Sequence, residues 1–231
     1  MVRPNTGPIR LVIFDCDGTL VDSQHSIISA MEYAWRAHDL EGPTADAVRR
    51  VVGLPLETAI ANILPDSADH GALVPGLTEA YKAEFARQRG NPDYEEPLFP
   101  DTRKTIEALL DSDFLLAVAT GKSRRGALAT LGQHDLLKHF IAIKTADDGP
   151  GKPDPYMVEQ AMLEAGTSAD ETVVVGDTTF DMLMARNAGT RAIGVSWGYH
   201  PPEELHAVGA QHVIDTFGQL PGLVRLQTNG A

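Results

Sequence analysis

The chain has 231 residues, 43% hydrophobic and 22% charged, the make-up of a globular protein rather than a disordered one. Nineteen basic side chains against thirty-two acidic ones leave a net charge of −13. That field repels nucleic acid and anionic lipid, so neither is an expected partner, and an anionic ligand would have to be met by local cations or a metal.

The single cysteine, Cys16, excludes an internal disulfide and a cysteine-rich zinc site. No apolar run approaches the roughly 20 residues of a membrane span, and the N-terminus lacks the apolar centre of a signal peptide. A cytoplasmic protein without an obligate protein partner is expected.

In chain order, the first predicted element is a strand over Ile9–Phe14. It is rich in β-branched residues and nearly continuous in apolar character, as suits burial on both faces of a parallel sheet. A long stretch without a clear strand follows, reading as helices over Gln24–Ala37, Ala45–Val52, Leu56–Ile63 and Leu77–Arg89. Connections in α/β units normally run to a few residues. The stretch therefore reads as an inserted helical domain, hinged near Val21–Gln24 and Pro97–Pro100.

Helix and strand then alternate. Helices are expected over Thr102–Leu110, Arg124–Leu131, Pro155–Glu164 and Phe180–Asn187, with strands over Phe114–Ala119, Phe140–Ile143, Thr172–Val175 and Arg191–Val195. A helix over Glu203–Val208, a short strand over His212–Asp215 and a polar tail with a mobile end complete the chain. The pattern predicts an α/β fold: a doubly wound parallel-sheet core, residues 1–21 and 98–231, carrying an inserted α-helical cap, residues 22–97. Met31, Tyr33, Trp35, Met182 and Met184 are expected to serve mostly in helix packing.

The polar residues that interest chemistry follow the apolar runs. Strand one leads into Asp15-Cys16-Asp17-Gly18-Thr19, strand two into Thr120-Gly121-Lys122, and strand four into Gly176-Asp177 with Asp181 one turn on; Gly151-Lys152-Pro153 comes shortly after strand three. Ligands of open α/β sheets bind at the carboxyl ends of the strands. Asp15, Asp17 and Asp177 crowded there need a cation between them, and oxygen ligands favour a hard ion, Mg²⁺ being the common one. Mg²⁺ binds phosphate oxygens, Lys152 adds positive charge and Thr120 adds a neutral donor, so a phosphorylated ligand is the natural partner. A carboxylate can act as nucleophile, and a second one two residues along can move the protons.

These segments resemble the four motifs of the haloacid dehalogenase superfamily, in order: Asp15-Cys16-Asp17-Gly18-Thr19-Leu20-Val21-Asp22-Ser23, Thr120-Gly121-Lys122, Gly151-Lys152-Pro153-Asp154-Pro155, and Gly176-Asp177-Thr178-Thr179-Phe180-Asp181. The helical insert resembles the cap of the phosphoglycolate phosphatase-like branch. The resemblance implies Asp15 as nucleophile and Mg²⁺ ligand, and Asp17 as general acid and base with its carbonyl on the metal. It implies Asp177 and Asp181 as further metal-site residues, and Thr120, Gly121, Lys152 and Gly18 around the phosphoryl group. The implied activity is Mg²⁺-dependent hydrolysis of a small phosphorylated metabolite, a phosphoglycolate-like or sugar phosphate, through an aspartyl-phosphate. The second motif often carries an amide residue where Gly121 stands, which bears on substrate rather than chemistry.

Other readings weigh less. A phosphomutase of the β-phosphoglucomutase kind usually has a basic residue after the cap glycine, where Leu54-Pro55-Leu56 follows Gly53. A dehalogenase normally lacks the second aspartate, present here as Asp17. A non-catalytic binding module would not need every catalytic position filled. Asp-Gly also marks turns, and Thr120 could cap the next helix. Gly53–Glu57 with Arg49 or Arg50 is a candidate substrate-facing loop.

Overall fold

In the computed structural model, which describes residues 8–226, six parallel strands form one sheet in the order β3-β2-β1-β4-β5-β6. They are β1 (Leu11–Phe14), β2 (Leu115–Ala119), β3 (Ala142–Lys144), β4 (Thr172–Gly176), β5 (Arg191–Val195) and β6 (His212–Ile214). The central strands are buried on both sides because side chains alternate across a sheet. Val12 and Phe14 of β1 join Leu116, Val118, Val173 and Val175 on one face, while Leu11 and Ile13 join Ala117, Ala119 and Val174 on the other.

Helices cover both faces. On the first lie α5 (Thr102–Leu110), α6 (Arg124–Gln133) and α10 (Leu220–Leu226), through Ile106, Leu109, Leu131, Leu220 and Val224. On the second lie α7 (Tyr156–Ala165), α8 (Thr179–Asn187) and α9 (Pro202–Val208), through Met157, Val158, Met182, Ala185 and Leu205. The winding changes face on either side of β1, so the edge beyond β1 and β4 is the topological switch point at which such sheets hold ligands.

Between β1 and α5 stands the helical cap: α1 (Gln24–Arg36), α2 (Ala45–Arg49), α3 (Leu56–Ile63) and α4 (His70–Arg89). It has its own apolar cluster, including Ile27, Met31, Trp35, Val48, Val52, Ile60 and Leu77, against which Tyr199 of the core also packs. The two connections run side by side: Asp22 N–H donates to the Pro97 carbonyl (2.8 Å) and Phe99 N–H to the Leu20 carbonyl (3.1 Å).

Several expectations need correction. Helix α4 begins at His70, not Leu77, because the Asp69 carboxylate accepts from Ala72 N–H (3.2 Å) and starts the helix before Pro75, which then stands inside its second turn. Helix α2 stops at Arg49, short of Val52, and the chain turns through Gly53 at φ +98°. The segment read as a polar tail contains α10, whose Leu220 and Val224 are fully buried. Tyr33 is 43% exposed, unlike Met31, Trp35, Met182 and Met184, which are buried. The N-terminal stretch before residue 8 and the mobile end expected past residue 226 lie outside the described residues. Among the described residues no helix is long and apolar enough to cross a membrane.

Candidate active site

Parallel pairing of β1 with β4 sets Phe14 beside Val175, so the residues that follow, Asp15 and Asp177, emerge together. Asp15 N–H continues the ladder to the Val175 carbonyl (2.9 Å). Beyond it the chain folds back sharply: Leu20 and Val21 N–H both donate to the Cys16 carbonyl (2.9 and 3.1 Å). Gly18 makes this turn at φ +81°, and a Cβ there would lie 2.3 Å from Asp177 Oδ2, so both conformation and space demand glycine. Its N–H is donated to the Val21 carbonyl (3.0 Å).

Asp177 is fully buried, with Oδ1 accepting from the Thr19 hydroxyl (2.8 Å) and Oδ2 from Tyr199 N–H (2.9 Å). Asp181 sits in the first turn of α8, locked by a capping box: its Oδ2 accepts from the Thr178 hydroxyl (2.6 Å) and Thr178 N–H (3.0 Å). Its other oxygen faces Lys152, whose Nζ lies 2.7 Å from both Asp181 Oδ1 and Asp15 Oδ1 with its side chain fully shielded. Lys152 therefore bridges the two carboxylates from behind.

Carboxylate oxygens of Asp15, Asp177 and Asp181 lie within 4.8 Å of one another, all buried. Three buried acids facing one ammonium leave excess negative charge. Burial above all pushes the Asp15 carboxyl up to about 7, with the Asp181 and Asp17 charges adding to the rise and Lys152 opposing it. Burial, then the charges of Asp15 and Asp181, likewise raises Asp177. An all-oxygen set with surplus negative charge fits a hard divalent cation, which would relieve the repulsion that now favours protonation.

In front of this cluster, Asp15, Asp17, Thr120, Gly121 and Lys122 open into a cavity of about 440 Å³ between core and cap. Asp17 Oδ1 accepts from the Ser23 hydroxyl and from Lys122 Nζ, each at 2.5 Å. Lys122 Nζ also reaches Glu96 Oε1 (3.0 Å), and Glu96 Oε2 takes the Thr130 hydroxyl (2.5 Å) and Arg89 (3.3 Å). These pairings raise the Lys122 ammonium further and hold Glu96 low despite its burial. Glu96 lies on the second connection to the cap, so the orientation of Asp17 is tied to that connection.

All eight expected site residues gather here. Thr120 accepts from Lys122 N–H (3.2 Å) but does not cap α6; Ser123 does, accepting from Gly126 N–H (3.2 Å). Gly121 fits because a Cβ would lie 2.6 Å from the Gly53 carbonyl oxygen of the cap loop. Residues Gly53–Glu57 do line the cavity, whereas Arg50 turns away into a two-pronged pair with Glu204 (2.6 and 2.9 Å) and Arg49 bonds Gln24 (2.8 Å).

The residues not foreseen are Ser23, Glu96 and Lys122. Ser23 and Lys122 stand inside two of the quoted motifs; Glu96 carries no signal, being one of two adjacent glutamates before Pro97.

The chain is similar to known proteins over most of its length. The pattern of the haloacid dehalogenase-like hydrolase family matches residues 12–195. The chain is 40% identical over 215 residues to "Probable phosphatase IndB" of Dickeya dadantii, covering 92% of each. It is 31% identical over 223 residues to the phosphoglycolate phosphatase of Vibrio vulnificus, covering 94% of this chain and 96% of that one. Among solved structures, a hydrolase from Pseudomonas syringae superposes with a TM-score of 0.79 at 26% identity, over 96% of this chain and 100% of that one. A predicted phosphatase from Clostridium acetobutylicum gives a TM-score of 0.83 at 24% identity, over 94% and 99%.

Proposed function

The chain belongs to the haloacid dehalogenase-like hydrolases and is a phosphatase, and on that premise we propose that it hydrolyses a small phosphate monoester through an aspartyl-phosphate on Asp15 with the help of Mg²⁺, the phosphoglycolate-like and sugar phosphates expected from the sequence being the first substrates to compare. One observation carries the reading: Asp15 opens into the cavity while Lys152, Asp177 and Asp181 converge on it from the buried side.

Asp15, Asp177 and Asp181, with the Asp17 carbonyl, would hold the ion. When bound, Mg²⁺ supplies positive charge to the carboxylates and to the transferring phosphoryl oxygens. Lys152 opposes the protonation of Asp15 that burial favours and holds its oxygen in place. That oxygen attacks phosphorus, and the bond from phosphorus to the alcohol oxygen breaks. Asp17 donates a proton to the departing oxygen; with Oδ1 fixed by Ser23 and Lys122, its Oδ2 is the atom that carries the proton. Thr120 and Gly121 border the space for the phosphoryl group. The Asp17 carboxylate then takes a proton from a water that attacks the aspartyl-phosphate, releasing phosphate and restoring both acids.

We divide core from cap at residues 21/22 and 97/98, a reading supported by the Asp22–Pro97 hydrogen bond that joins the two connections. In this reading the cap excludes bulk water during transfer. The test is phosphate release from a panel of monoesters by the wild-type chain and by Asp15→Asn. Turnover that needs Mg²⁺ and vanishes in the variant is expected; near-normal activity of the folded variant would refute the nucleophile.

A further inference from the structure

The cavity wall opposite Asp15 bears on which alcohol the phosphate is removed from. At about 440 Å³ the cavity falls among sites that enclose drug-sized ligands, roughly 300–1,000 Å³. Its cap side is mostly carbon, from Ile27, Met31, Val48, Val52, Leu56 and Phe85. The first four are buried members of the cap's own apolar cluster, so the wall is a continuation of a packed core. Few polar groups interrupt it away from the rim. They belong to Tyr81 and Thr78, and Thr78 Oγ1 is buried with no hydrogen-bond partner among the described residues.

The charges around the cavity are balanced. Lys122 is held between Asp17 and Glu96, and Arg89 by Glu96 and the Thr130 hydroxyl, with its guanidinium 5.0 Å over the Phe85 ring. Two cations thus meet two carboxylates. At the exposed rim Lys82 pairs with Glu79 (3.1 Å), Glu57 and Asp147 add two acids, and Arg125 has no ion-pair partner among the described residues. A second anionic group lying against the buried carbon wall would meet no unneutralised cation there, the unpaired Arg125 being at the exposed rim, and burying an unpaired charge is strongly disfavoured. A polyol would fare little better, because each buried hydroxyl needs a partner and the carbon wall offers few.

Resting on the phosphatase reading above, we propose that the site selects phosphate monoesters of a neutral, mainly hydrocarbon alcohol, a ring or branched chain carrying few oxygen atoms, over short acids such as phosphoglycolate and over sugar phosphates. The apolar body would lie against Met31, Val52 and Phe85, and a single oxygen function would satisfy Thr78.

The test compares kcat/KM of the Mg²⁺-loaded full chain for benzyl phosphate, 2-phosphoglycolate and glucose 6-phosphate, three primary alkyl esters chosen so that leaving-group chemistry differs little. Benzyl phosphate should exceed each of the others by about tenfold or more. If either of the others equals or surpasses it, the proposal is overturned while the phosphatase reading stands. If no monoester is hydrolysed at all, both fall.

Two variants separate the causes. Leu56→Arg places a cation on the wall and should move the preference toward phosphoglycolate by about tenfold; an unchanged ratio in a folded, active variant counts against the proposal. Arg125→Ala should leave the ratio unchanged. A selective loss of phosphoglycolate hydrolysis would overturn the proposal by showing that Arg125 receives the acid.

Discussion

Two buried lysines organise opposite sides of the same aspartate loop, and they do so differently. Lys152 bridges Asp15 and Asp181 at 2.7 Å each, entirely within the core, on a side chain closed to solvent. Lys122 bridges Asp17 and Glu96 at 2.5 and 3.0 Å, but Glu96 belongs to the connection that leads back from the cap. The rear pair is fixed by the sheet; the front pair depends on how the cap's connection is seated. The difference separates a part of the site that must be rigid from one that can report on the cap.

The largest expected effects fall on the rear. Asp15→Asn should lower kcat by about 10⁴-fold or more, the scale on which removing a nucleophile acts, measured as phosphate release with the fold checked by circular dichroism. Lys152→Met should abolish turnover and also cost about 3–5 kcal/mol in denaturant unfolding, because it leaves Asp15 and Asp181 buried without their counter-charge. An unfolding midpoint equal to wild type would dissolve the distinction between the two lysines.

Leu220→Ala probes the support beneath the rear cluster. Leu220 shares an apolar cluster with Phe14 and Val175, the residues next to Asp15 and Gly176, and its truncation should cost about 2–5 kcal/mol. Loss of Glu96 tests the front. Glu96→Gln keeps the shape but removes the charge that shares Lys122 with Asp17, and kcat should fall about 10–100-fold with KM little changed, as expected when a proton-transfer group is misplaced. A KM effect alone would mean that Glu96 serves binding.

The response to metal is of similar size: Mg²⁺ at a hundredfold excess over Kd should stabilise the wild type by about 2.7 kcal/mol and raise its melting temperature accordingly, and should not do so for Asp177→Asn. Arg50→Ala should hardly move the melting temperature, since its pair with Glu204 is exposed and screened.

The sequence made the rear half of the site more legible than the front. Asp15 and Asp177 directly end or follow apolar runs that could only be buried strands, and sheet topology then brings them to one edge. Lys152 and Asp181 were placed by their motifs. Glu96 was invisible because its role depends on the pairing of two connections, and that pairing leaves no local pattern. The same limit explains α10: seven residues with two fully buried side chains carry too little periodicity to stand out from a tail, yet Leu220 and Val224 close one face of the sheet. Pro75 masked the start of α4, where the Asp69 cap outweighed it.

The most direct test of the central claim is rapid quenching of a single turnover, followed by mass spectrometry of the peptide that carries Asp15, in the wild type and in Asp17→Asn. One phosphoryl group on Asp15, transient in the first and accumulating in the second, is the predicted result. Phosphate released with no label on that residue at any time, or a label on another side chain, would contradict it.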